Sequence, residues 1–327
     1  MQPEPATMQL SYSGEKGPLF KLAFKTGLLT VVTLGIYRFW QKTRIRKYIW
    51  SSVSADGDTF EYTGTGMEKF LGFLVAIVFL AVYLGILQMI LFYFGLNIMV
   101  DPETAGPEAV IGQAVAIYIS LFAVLPFILF AIYRARRYKM ARTRFRGIRL
   151  GMEKGAWGYV VRALGYGFLT VVTLGVLMPL STFKLEKYMA DRSFYGSTRL
   201  IQEGAWTKLY PAMKHLFIAL GIFIVCGTLI AIGGINEMVG LAVIGGIGIF
   251  VGYIWFMIGA VYYSVRSFGY LMSHKVLGGT VRFVAEPKTG FVIKTYIIGG
   301  LLLSLLASVA FGAVGVLAMP MIMLAED

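Results

Sequence analysis

Arg44, Arg134, Lys184 and Arg266 are each followed, four residues later, by a tyrosine: Tyr48, Tyr138, Tyr188 and Tyr270. On a helix that spacing puts the cation and the phenol on one face. Where such a face meets the headgroups of a bilayer, the cation reaches phosphate or stacks on the ring, and the hydroxyl stays in water. Two readings of this chemistry stand side by side. One is interfacial anchoring without ligand selectivity. The other is a basic rim of four converging turns that holds an anionic lipid headgroup or a phosphorylated ligand. Nine residues beyond the tyrosines stand Gly57, Gly147, Ser197 (with Gly196 one place early) and Gly279, so the whole frame marks a turn.

Nothing in the sequence assembles a catalytic centre. His215 and His274 have no carboxylate or second histidine at metal-ligand spacing, so neither a metal nor a cofactor is expected. The glycine-rich pieces lack the Lys-Ser/Thr of a phosphate loop, and Gly64-Thr65-Gly66 is no dinucleotide fingerprint. None of the 17 carboxylates falls clearly in the middle of an apolar run, which weighs against ion-coupled transport. The expectation is therefore a non-enzymatic protein. Gln88 and Gln113 are polar groups within apolar runs, suited to hydrogen bonding between helices, and Gly248 and Gly252 share one helix face and permit close packing. The same side chains and glycine face would line a cavity if the chain were a channel or transporter passing a small solute between two halves.

The elements that must position these residues are membrane helices. Of 327 residues 57% are hydrophobic and 14% charged, with mean hydropathy +0.73; soluble domains carry about 25% charged residues. The net charge of +13 is segregated, since no Lys or Arg occurs between Lys69 and Arg134, between Lys214 and Arg266, or after Lys294. That distribution places the cationic blocks and the N-terminus in the cytoplasm, and it points to membrane lipids, anionic ones above all, as partners rather than nucleic acid. Cys226 is the only cysteine, which excludes an intramolecular disulfide. The polar first 17 residues do not read as a cleavable signal peptide.

Runs over 70–96, 109–133, 215–232 and 238–265 are long enough to cross a bilayer, and 295–320 can cross or re-enter. The segments 18–40 and 157–182 are read as re-entrant or interfacial half-helices, because the residues between Lys25 and Arg38 are too few to span and a crossing at 157–182 would put a basic block outside; the alternative is that they cross, the first as an ordinary spanning helix with snorkelling lysines. Asp56-Gly57, the turn near Gly147, Gly196-Ser197 and Gly278-Gly279 suggest small cytoplasmic β-hairpins. The run 29–35, LTVVTLG, recurs without change at 169–175, and Lys47-Tyr48 and Gly64 recur at Lys187-Tyr188 and Gly204, all 140 residues apart. Such a match argues for duplication. The expected fold is thus an all-α polytopic membrane protein, an internally duplicated helix bundle. It divides into a flexible tail (1–15), repeat 1 (16–155), repeat 2 (156–289) and a C-terminal segment (290–327) that carries a partial third copy of the half-helix element.

The stretches LLTVVTLGIYRFWQKTRIRKY, DTFEYTGTG and LTVVTLGVLMPL followed by KLEKY resemble the YjgN-type family of bacterial inner-membrane proteins, defined by a domain of unknown function. The resemblance runs over residues 14–320 and implies a bacterial inner membrane. It carries no substrate or active site with it. The second copy has Met178-Pro179-Leu180 where the first has Arg38-Phe39-Trp40, which confines any role of that aromatic and basic cluster to one half.

Overall fold

The computed structural model describes residues 7–100 and 106–323, the backbone alone at 310 and 313–323. The chain forms two compact units, Met1–Ser181 with Leu185–Ile201, and Thr182–Lys184 with Gln202–Asp327. The first contains β1 (Leu10–Tyr12), α1 (Lys16–Val32), α2 (Arg38–Ser51), β2 (Val53–Ala55), β3 (Asp58–Tyr62), α3 (Gly66–Tyr93), α4 (Pro107–Ala141), β4 (Thr143–Phe145), β5 (Ile148–Met152), α5 (Ala156–Val172), most of α6 (Met178–Ala190), β6 (Ser193–Tyr195) and β7 (Thr198–Gln202, its last residue excepted). The second holds a 3-10 segment (Trp206–Met213), α7 (Lys214–Ile235), α8 (Val239–Ser273), β8 (Lys275–Leu277), β9 (Val281–Arg282) and α9 (Thr289–Met323).

Among the described residues five helical stretches are long and apolar enough to cross a membrane: Gly66–Tyr93, Pro107–Ala141, Trp206–Ile235, Val239–Ser273 and Thr289–Val309. At most 11% of each apolar stretch is buried in protein. Side chains that would drive a soluble fold inward therefore face outward, as lipid requires. This is a helical membrane protein. Helix α9 runs unbroken to Met323 and has no counterpart of the turn that follows α5. Of the acidic loop between the first two crossings, Asp101 and Glu103 lie outside the described residues.

The strands depart from the expectation of separate hairpins. In the first unit each strand from β1 to β7 pairs antiparallel with the next, so β3 joins β4 through Phe60 and Phe145, and β5 joins β6 through Leu150 and Tyr195. The N-terminal stretch expected to be a flexible tail supplies β1, with Leu10 opposite Ala55. Periodicity reports which face a strand buries and is silent on its main-chain partner, which the intervening helices choose by returning the chain to its starting point. One hydrogen bond marks every such return: Ser13 N–H donates to Ser52 O (2.9 Å), Thr63 to Arg142 (2.8 Å), Glu153 to Arg192 (2.9 Å), and, in the second unit, Glu203 to His274 (2.8 Å). The tight turns at Asp56-Gly57 (φ 49° and 87°) and Arg146-Gly147 (49° and 74°) have the paired positive φ of two-residue hairpins.

The repeated LTVVTLG sequence builds one device twice. At the end of α1, Gly35 N–H bonds Thr30 O (2.7 Å) and Leu34 N–H bonds Val31 O (3.0 Å), a Schellman stop with Leu34 in the left-handed region (φ 50°). Thr33 Oγ1 donates back to Leu29 O (2.7 Å) and accepts from Tyr37 N–H (2.9 Å), stitching α1 to α2. Thr173 and Leu174 do the same for α5 and α6, with Gly175 N–H to Thr170 O at 2.7 Å and Leu177 N–H to Thr173 Oγ1 at 3.2 Å. Both α1 and α5 are 17 residues long, about 25 Å at 1.5 Å per residue and shorter than the roughly 30 Å hydrocarbon core.

Candidate functional site: the strand-side helix ends

Helices α2, α4 and α6 in the first unit, and α8 in the second, run directly into a strand, and their last turns carry the repeated cation and tyrosine. The tyrosine and the cation have different fates. Tyr48 OH accepts from Glu15 N–H and donates to Glu15 O (both 3.0 Å), and Tyr188 OH donates to Gly155 O (2.9 Å). Tyr270 OH accepts from Ala205 N–H (2.9 Å) and donates to Ala205 O (3.2 Å). Glu15, Gly155 and Ala205 each stand immediately before a helix. Tyr138 reaches the corresponding turn of α3 through the Glu68 carboxylate (2.7 Å). Phenol groups expected to stay in water thus latch the exit of each helix pair to its entrance, a net contribution of about 1 kcal/mol per hydrogen bond.

The cations remain outside. Arg44, Arg134, Lys184 and Arg266 are exposed, and among the described residues none pairs with a carboxylate. Three lie against aromatic rings on their own helix or at its start: Arg44 over Tyr37 (5.7 Å), Arg134 over Phe130 (5.8 Å) and Arg266 over Tyr262 (5.8 Å). Carboxylates are spent instead on the strand layer and the helix ends beside it. Arg142 pairs with Glu68 (2.8 Å), Arg146 with Asp58 (2.5 Å) and Arg199 with Glu153 (2.6 Å), and in the second unit Arg282 pairs with Glu203 (3.0 Å).

A family model described as "Bacterial protein of unknown function (DUF898)" matches residues 7–322. The chain belongs to the DUF898 family. It is 25% identical over 154 residues to "Inner membrane protein YjgN" of Salmonella typhimurium (strain LT2), covering 46% of this chain and 33% of that protein. It is 24% identical over 158 residues to the protein of the same description from Escherichia coli O157:H7, covering 46% of this chain and 34% of that one. The matched region spans about a third of the length of these relatives. No solved structure matches.

In this DUF898 protein the remaining candidate residues are engaged within helix pairs. Gln88 Nε2 donates to Ser120 Oγ (2.8 Å), joining α3 to α4, and Gln113 Nε2 donates to Ile98 O (2.7 Å) and Val100 O (3.2 Å). Gly248 and Gly252 face α7: a side chain at Gly248 would run into Cys226 Sγ, and one at Gly252 would come within 2.9 Å of Ile222 and Phe223. His215 packs beside Tyr262 (4.6 Å between ring centres), and His274 Nδ1 lies 2.8 Å from Tyr270 O. Among the described residues no group of histidine, cysteine and acid side chains could hold a metal.

A buried cluster of tyrosines and charged side chains joins α4, α5 and α6. Tyr133, Tyr159 and Tyr188 pack with ring centres 5.7–6.3 Å apart, and Arg136 grips Glu186 with two hydrogen bonds (2.6 and 2.8 Å) beside them. Arg162 and Arg192 lie over the Tyr188 ring at 4.6 and 3.6 Å. A signal for the last two exists in the duplicate, where residues 140 positions earlier are Leu22 and Ser52. No sequence signal pairs Arg136 with Glu186, 50 residues apart.

Proposed function

We propose that this is a multi-pass, non-enzymatic protein of the bacterial inner membrane whose exposed repeat cations hold anionic lipid headgroups along a cytoplasmic rim. One observation carries the reading. Arg144, Arg146, Arg199 and Arg282 of the strands and their turns pair with carboxylates, whereas among the described residues Arg44, Arg134, Lys184 and Arg266 are exposed and lack one. Exposed cations without a carboxylate attract anions, and anionic lipid is the partner at a membrane surface, with each cation contributing about 1 kcal/mol. The relatives described as inner membrane proteins supply the compartment. The channel or transporter reading gains no comparable support, because Gln88, Gln113 and the Gly248/Gly252 face are occupied by protein partners.

Native mass spectrometry of protein extracted in mild detergent tests the rim. Changing Arg44 and Arg134 to Gln is expected to remove more copurified phosphatidylglycerol or cardiolipin than changing Lys16 and Lys288, which are also exposed but lie outside the repeated frame. Equal losses would leave only unselective anchoring.

The duplicated arrangement has a matching topology in this proposal, with the strands and N-terminus cytoplasmic and the α1–α2 and α5–α6 pairs re-entering the bilayer from that side. Its support is the hairpin tips. Leu34 (95% exposed) and Leu174 (76% exposed) project apolar side chains from turns that water would ordinarily make polar. In a variant with Cys226 replaced by Ser, single cysteines at Asp56 and Ser197, both exposed turn residues, are expected to react only with reagent admitted to the cytoplasm, and one at Asn236 from outside. External labelling at Ser197 would overturn the re-entrant assignment of α5–α6.

A further inference from the structure

The two copies of the short helix pair differ where it matters chemically. In copy one, Tyr48 latches onto Glu15, and among the described residues no cation lies over its ring. In copy two, the residues at +140 replace Glu15 by Gly155, Pro18 by Gly158, Leu22 by Arg162 and Ser52 by Arg192. A carboxylate is lost and two guanidiniums are gained around one buried ring. Arg162 is seven residues into an apolar helix, yet its side chain runs back toward the strand side and donates from Nη1 to Gly158 O (2.9 Å). Arg192 donates from Nη1 to Tyr188 O (3.2 Å). A Cβ on Gly155 would come within 3.2 Å of Arg192 Nε, and one on Gly158 within 3.3 Å of Arg162 Nη1. Both guanidiniums thus converge on a patch where neither glycine has a side chain.

The neighbouring acids offer no compensation. Glu153 is held by Arg199 and Glu186 by Arg136, and among the described residues neither Arg162 nor Arg192 has a carboxylate partner. Each guanidinium carries five N–H donors, and the hydrogen bonds above use one on each. Two planar forks with free donors, both over the Tyr188 ring and without a carboxylate partner among the described residues, suit the oxygens of a phosphate group. Trp157, 57% exposed one residue beyond the start of α5, is the type of side chain that sits at headgroup level.

We infer that Arg162 and Arg192, positioned by Tyr188, form a discrete phosphate clamp present only in the second copy, which takes the phosphate of an anionic phospholipid or a soluble phosphate at the same level. The inference rests on the reading of a headgroup-binding membrane protein, but it assigns different residues from the four repeat cations. Phosphatidylglycerol is titrated into delipidated protein and followed by native mass spectrometry, with inorganic phosphate titrated in parallel. The first lipid bound is expected to weaken at least tenfold in the Arg162→Gln/Arg192→Gln variant and by a smaller factor in Arg162→Lys/Arg192→Lys, which retains the charge but loses the planar forks, with an unchanged thermal midpoint in both as the control for folding. Arg44→Gln/Arg134→Gln should lower the total lipid count and leave that first molecule in place. Competition by inorganic phosphate, with no preference for phosphatidylglycerol, would assign the clamp to a soluble ligand and still uphold it. Unchanged first-lipid affinity in the double Gln variant, with no competition by phosphate, overturns the clamp whatever becomes of the rim.

Discussion

Replacing Gly245 by Ala is expected to destabilise the protein by about 2–3 kcal/mol, near the upper end of overpacking costs, whereas Gly246→Ala is expected to be neutral or stabilising. The two glycines are adjacent on α8 and differ only in what they face. A Cβ at Gly245 would stand 2.6 Å from Ile230 Cγ1, 2.8 Å from Cys226 O and 3.1 Å from Ile230 N, and two of those atoms are backbone that cannot rotate away. At Gly246 nothing lies within 4 Å, and a helix there gains from losing glycine's conformational freedom. Gly245, Gly252 and Gly259 recur every seven residues and are buried against α7, so the close approach of the two helices depends on this seam. Thermal unfolding in detergent reads both variants. Equal midpoints for the two would mean that α7 and α8 do not pack through the glycines.

The second large effect lies at Arg136 and Glu186. Their side chains are 27% and 16% exposed and meet in a two-point contact of 2.6 and 2.8 Å. Removing one partner leaves the other charge half-buried beside the tyrosine cluster, so Arg136→Gln and Glu186→Gln should each cost about 2–3 kcal/mol, slightly below the range for fully buried pairs. The double variant should recover more than half of the summed loss, since neither side chain is then left without the other. Additive losses in the double-mutant cycle would show that the contact is incidental and that each side chain acts through other neighbours.

The membrane class, the positions of the long apolar helices and the segregation of cations followed from the sequence because they are one-dimensional properties. A largely apolar helix of 28 residues, as in α3, reports its own length, and a helix satisfies its backbone without help from elsewhere. The LTVVTLG repeat likewise specified its turn locally, since every hydrogen bond of the stop and stitch at Thr33 spans five residues or fewer. Hairpin turns such as Asp56-Gly57 were legible for the same reason.

Tertiary structure decided whatever depended on partners distant in sequence. The pairing of β3 with β4 joins Phe60 to Phe145 across an entire helix pair, and neither strand encodes the other's address. The repeated tyrosines were visible as a spacing, yet that spacing suits a wet interfacial phenol and a buried latch equally well. Only the return of each helix pair to its own entrance brought Tyr48 to Glu15 and Tyr188 to Gly155. The division between neutralised and free cations has the same origin. Arg146 and Asp58 are 88 residues apart and become neighbours through the strands, while Arg44 and Arg134 meet no such acid among the described residues. Charge count is a property of the sequence; charge compensation is a property of distance, and folding sets the distances.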